Sequence, residues 1–79
     1  MSTAEQIRET IIALLKLKPN EIDLDSRLYE DVSMDSTEMV ELAIALEKKF
    51  NVKLIAQEIP RSATVNDLAK IIDGKKAAW

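Results

Sequence analysis

The chain has 79 residues, 47% of them hydrophobic and 32% charged, with a net charge of −3; this is the composition of one small globular domain, here expected to span 1–79, not of a disordered chain. It has no Cys and no His, which excludes a disulfide framework, a zinc finger, a haem held by His or Cys and a Ser-His-Asp triad. One Gly and two Pro are too few for the frequent turns of an all-β sandwich, and the acidic balance argues against nucleic acid as a partner.

No apolar run approaches the roughly 20 residues that span a bilayer, and MSTAEQIRET lacks the basic-then-apolar order of a secretory signal. The expectation is a cytoplasmic protein without membrane insertion. A core this small also leaves little room for a deep catalytic cleft, which makes an independent enzyme a poor reading.

Capping boxes mark the helix starts. Ser2 and Glu5 open the first, and Ile7, Ile11, Leu14 and Leu15 follow on one face, which predicts a helix over about 3–17 that ends before Pro19. Residues 18–34 form a connection too long to be idle in so small a domain. Its Ile22, Leu24, Leu28, Tyr29 and Val32 are read as pinning it across the bundle, with a helical turn near 26–30. Asp35 and Glu38 open the strongest periodic segment, a helix over 36–50 whose stripe is Met39, Leu42, Ala43, Leu46 and Phe50, flanked by Val40 and Ile44. A short helix is expected at 56–60. Thr64 and Asp67 open the last, over 65–73, with Val65, Leu68, Ile71 and Ile72 inward. Gly74 should stop it in a left-handed cap, leaving 75–79, with Trp79, as a frayed tail. The fold class is therefore all-α, a small four-helix bundle of three main helices and one short one, with a long loop between the first two.

Charge is partitioned along this chain. From Leu28 to Glu47 there are six acids (Glu30, Asp31, Asp35, Glu38, Glu41 and Glu47) and no Lys or Arg. The helix dipole accounts for Asp35 and Glu38 at the start of the second helix. It does not account for Glu41 and Glu47 further in, which point to an acidic docking face. No metal site is read from these acids, because the oxygen-rich loop with a central Gly that binds Ca2+ is missing.

Asp35-Ser36 stands where loop becomes helix, and a hydroxyl at that junction is exposed beside free backbone N–H groups that welcome a phosphate. By position alone Ser36 is better explained as a capping-region hydroxyl, since Ser is favoured there anyway. The surrounding residues change that weight. Asp35-Ser36, Val40-Glu41-Leu42, Leu46-Glu47 and Phe50, read from Leu28 onward, closely resemble the acyl carrier protein family, with its pattern L-G-x-D-S-L-x-x-V-E-L-x-x-x-L-E-x-x-F. Weaker similarity extends over nearly the whole chain.

The resemblance implies a carrier and not a catalyst. Ser36 would accept 4'-phosphopantetheine from coenzyme A, with Asp35 as the neighbouring motif acid, and the arm would hold acyl groups as thioesters for fatty-acid, polyketide or related biosynthesis. Thr37, Glu38, Glu41 and Glu47 would meet partners: a phosphopantetheinyl transferase, and acyltransferases, ketosynthases or acyl-activating ligases with basic patches. A monomer is implied. A cofactor-free helical interaction module and an aminoacyl- or peptidyl-type carrier are the alternatives, although the Gly-Gly-His-Ser pattern of peptidyl carriers is absent. The sequence departs from the family at Thr37, where Leu is usual, at Ser33, which replaces the usual Gly and should give the loop a different turn, and at Lys48 and Lys49, where many fatty-acid carriers are acidic.

Overall fold

The computed structural model describes residues 1–77. Three α-helices make up the frame: α1 (Thr3–Leu15), α2 (Ser36–Phe50) and α3 (Val65–Ala77). Each begins where the capping pattern places it. Ser2 and Glu5 exchange reciprocal hydrogen bonds of 3.0 and 3.1 Å, Asp35 and Glu38 do so at 3.0 and 2.8 Å, and Thr64 and Asp67 at 3.0 and 3.1 Å. Each box satisfies two backbone donors that the first turn would otherwise leave unpaired.

The helix ends differ from expectation. α1 stops at Leu15, short of Leu17, because Lys16 adopts left-handed geometry (φ 56°) and the Leu17 N–H bonds back to Ile12 O at 3.0 Å. Pro19 instead opens a single 3₁₀ turn, Pro19–Glu21. Near 26–30 the chain makes one hydrogen-bonded turn, Asp31 N–H to Arg27 O at 2.9 Å, without becoming a helix. The short fourth helix is a 3₁₀ turn at Ala56–Glu58, not an α-helix over 56–60. α3 runs past Gly74 to Ala77, and Gly74 has no positive φ. Lys75–Ala77 are therefore helical where a frayed tail was expected, and residues 78–79 of that tail lie outside the described residues.

The apolar stripes meet in one core. Ile7 and Ile11 of α1, Met39, Leu42 and Leu46 of α2, and Val65, Leu68 and Ile72 of α3 are fully buried. Phe50, expected inside, is half-buried at the end of α2, with the Lys76 ammonium 5.2 Å from its ring centre. Ile22, Leu28 and Met34 of the long connection are also buried, so the connection is part of the core.

Backbone pairing locks the connection in place. Leu28 N–H donates to Ala63 O (3.0 Å), Val65 N–H to Ser26 O (3.2 Å) and Asn66 N–H to Leu24 O (2.9 Å). The Arg8 guanidinium holds the other end, donating to Ile22 O at 2.9 Å and also to Pro19 O. The 3₁₀ turn at 56–58 is tied to α3 by the Glu58–Lys75 pair at 2.6 Å. The Lys75 hydrogen bond, helped by the Ile55 N–H, holds the Glu58 carboxyl below its ordinary pKa.

No atom lies within 4 Å of a Cβ built on Gly74, which sits inside a helix with ordinary backbone. Gly74→Ala should therefore stabilise the fold by up to about 1 kcal/mol, by lowering the entropy of the unfolded chain. Urea denaturation measures this; a left-handed cap at Gly74 would give the opposite sign.

Candidate functional site

The site is the corner where the long connection becomes α2. Its geometry starts with Arg27, whose backbone N–H and guanidinium both bond Asp31, the guanidinium to both carboxylate oxygens at 3.1 Å. The guanidinium also pairs with Glu30. These bonds hold the Asp31 carboxyl below the usual carboxylate range and raise the Arg27 pKa. The turn closes when Met34 N–H donates to Leu28 O at 3.0 Å, with both side chains buried.

Between them Ser33 takes φ 62°. That is left-handed geometry, in which Gly is favoured. The replacement of the usual Gly by Ser33 therefore does not force the loop out of a left-handed turn: serine adopts that geometry, and two residues later Asp35 caps the helix.

Asp35 is the N-cap and Ser36 the first helical residue. The cap bonds join Asp35 to Glu38 and leave the exposed Ser36 hydroxyl uncommitted. A groove of about 190 Å³ opens beside it, lined by Tyr29, Ser36, Val40, Ala56 and Gln57. The hydroxyl thus sits at the rim of a small concavity, on a helix start that favours negative charge.

The acids expected to form one face do not act alike. Glu38 is half-buried and spends its carboxylate on the Asp35 N–H, so it is a capping group first. Glu41 is exposed and Glu47 half-buried. Glu30 and Asp31 are paired with Arg27, a base just outside the acidic segment. The exposed face of α2 comprises Thr37, Val40, Glu41, Ile44 and Lys48, spaced by three and four residues on one side of the helix.

Val40 and Ile44 are apolar yet 46% and 49% exposed. Sequence periodicity places them as flanks of the buried stripe. Their signal was in the sequence: they lie four apart and turn away from the Leu42–Leu46 line. Ile55, 52% exposed, carried no such signal.

Among the described residues no cluster of three or more His, Cys, Asp or Glu could hold a metal ion. No helix among them is long and apolar enough to cross a membrane.

Residues 5–72 match a family model described as "Phosphopantetheine attachment site". The chain is similar to proteins named Acyl carrier protein: 36% identical to that of Wolinella succinogenes over 76 residues, 96% of this chain and 100% of the relative. It is 34% identical to that of Helicobacter hepaticus over the same shares of each chain, and 30% identical to that of Campylobacter fetus over 96% of this chain and 99% of the relative.

Left-handed geometry costs a residue with a Cβ about 1–2 kcal/mol, part of which glycine gives back as entropy in the unfolded chain. Ser33→Gly should raise the stability of the corner by up to about 1 kcal/mol, read as a higher urea midpoint with the helical circular dichroism signal unchanged.

Proposed function

The chain belongs to the acyl carrier protein family, and on that premise we propose that Ser36 is the residue to which its 4'-phosphopantetheine is attached. The protein is a carrier and not an enzyme. The observation that carries the assignment is the exposed Ser36 hydroxyl at the first position of α2, beside a groove and next to a cap completed without it. These residues fit the group: the hydroxyl is reachable, the helix start favours an anion, and the chain has no thiol to compete with the arm. When attached, the cofactor supplies the terminal thiol on which acyl groups are held.

In the attachment step the Ser36 oxygen forms a bond to the phosphorus of coenzyme A that bears the pantetheine. The phosphorus–oxygen bond to the nucleotide bisphosphate breaks, and the hydroxyl proton passes to a base of the transferase. Asp35 orients the corner through its cap. A phosphopantetheinyl transferase and acyl-handling enzymes of fatty-acid or related biosynthesis are the partners of this reading, and the carrier works as a cytoplasmic monomer over residues 1–79. What supports it is the family and the names of the relatives.

We assign partner docking to the exposed face of α2. Glu41 supplies the free acid and Val40 and Ile44 the apolar contact, with Thr37 beside Ser36 and Glu47 at the far end. Glu38 contributes field while serving as a cap. A small mixed interface suits a carrier that must leave each enzyme quickly, because charge raises encounter rates more than affinity.

Ser36→Ala should abolish the mass gain seen when the protein is incubated with coenzyme A and a phosphopantetheinyl transferase, with the helical circular dichroism signal unchanged because Asp35 still caps α2. Persistence of the gain would refute the assignment.

Glu41→Lys should slow transferase association at least several-fold at low salt and far less at 1 M, where the Debye length is about 3 Å. Glu9→Lys, an equal charge change at an exposed site on α1, should have a much smaller effect. Equal slowing by both would mean that net charge acts alone and that α2 is not the docking face.

A further inference from the structure

The corner lacks a counter-ion for the group it is proposed to hold. A phosphodiester on Ser36 brings a permanent negative charge next to the carboxylates of Asp35 and Glu38, and no Lys or Arg occurs from Leu28 to Glu47. Arg27, just before that segment, is already engaged by Asp31 and Glu30.

Arg61 is the exception among the nearby bases. It precedes α3 on the segment that pairs with the long connection, and it is exposed. The ion pairs among the described residues use Arg8, Arg27, Lys75 and Lys76, not Arg61. Its guanidinium carbon instead lies 4.7 Å from the centre of the Tyr29 ring. That ring lines the same groove as Ser36. Stacking on an aromatic face holds a guanidinium in a plane while leaving its N–H groups free at the edge, the form in which arginine binds phosphate with two parallel bonds.

We infer that Arg61, carried on the Tyr29 ring, is a positioning residue that pairs with the phosphodiester on Ser36 and lays the first part of the arm over the groove walled by Tyr29, Val40, Ala56 and Gln57. The inference rests on Ser36 carrying the arm. Charge complementarity selects the occupant: an uncommitted cation is stacked on Tyr29, one of the residues that line the groove, and the phosphodiester is the anion covalently fixed at its rim. A lysine would supply charge there without the planar fork.

The test compares the protein before and after conversion with coenzyme A and a phosphopantetheinyl transferase, with intact mass confirming the conversion. In ¹⁵N-labelled protein the Arg61 Nε–H resonance should shift on conversion, and the shift should shrink when salt is raised to 1 M. The ³¹P resonance of the converted protein should move in Arg61→Gln and in Tyr29→Leu, and Arg61→Lys should restore it only in part. Backbone amide spectra of the variants should match the parent away from the corner, which separates the effect from loss of structure. Three results overturn the inference while leaving the carrier assignment standing: an Arg61 resonance that does not respond to conversion, a ³¹P resonance indifferent to Arg61→Gln, or an Arg61 response that appears only when the arm's cargo bears a free carboxylate. Absence of any mass gain overturns the Ser36 assignment and this inference with it.

Discussion

The position of Ser36 depends on a backbone clasp formed between two segments that are not helical. Residues 24–28 of the long connection pair with residues 63–66 through three N–H to C=O bonds of 2.9–3.2 Å. With Leu28 buried at the end of the clasp, polar groups buried there could not be left unpaired without a penalty of about 1–3 kcal/mol each. The clasp fixes Leu28, and Leu28 O accepts from Met34 N–H. Met34 in turn leads directly into the cap of α2. The same clasp brings the start of α3, with Arg61 and Ala63 just before it, alongside Tyr29. A loop of this length would otherwise wander; here backbone bonds and the buried Ile22, Leu28 and Met34 hold it against the helices.

Electrostatics at the corner are shaped by commitment as much as by count. The sequence concentrates six acids in one stretch, but folding spends four of them. Glu30 and Asp31 close the turn with Arg27, and Glu38 completes the cap of α2. Asp35 is the cap itself. Glu41 is left as an exposed acid with no such role. A carboxylate fixed in a cap still contributes to the long-range field of the protein, but its removal also disturbs the helix start.

The apolar component of the α2 face is equally a product of packing. Only one side of a helix can reach the core, and the Met39–Leu42–Leu46 line takes it. Val40 and Ile44 are consequently turned outward, where they join Thr37 and Glu41 on a face of mixed character. Isolated exposed apolar residues are ordinary; two of them on one stripe give the helix that carries Ser36 an outward face that is partly apolar.

Local chemistry made much of this legible in the sequence. The three capping boxes, the stripes behind them and the Asp35-Ser36 junction all depend on residues within a few positions of one another, so they could be read from spacing, and each helix starts where that spacing puts it. The helix ends were harder, because a left-handed residue such as Lys16, or a helix that continues through Gly74, reflects small differences in backbone energy that neighbouring packing decides. Several features came only from tertiary structure. These are the clasp between 24–28 and 63–66, the pairing of Arg27 that takes two acids from the acidic face, the half-exposure of Phe50, and the meeting of Arg61 with Tyr29 beside Ser36. Each joins residues whose side chains or backbone find a partner only once the connection has folded across the bundle, and no periodicity along the chain records which distant group that partner will be.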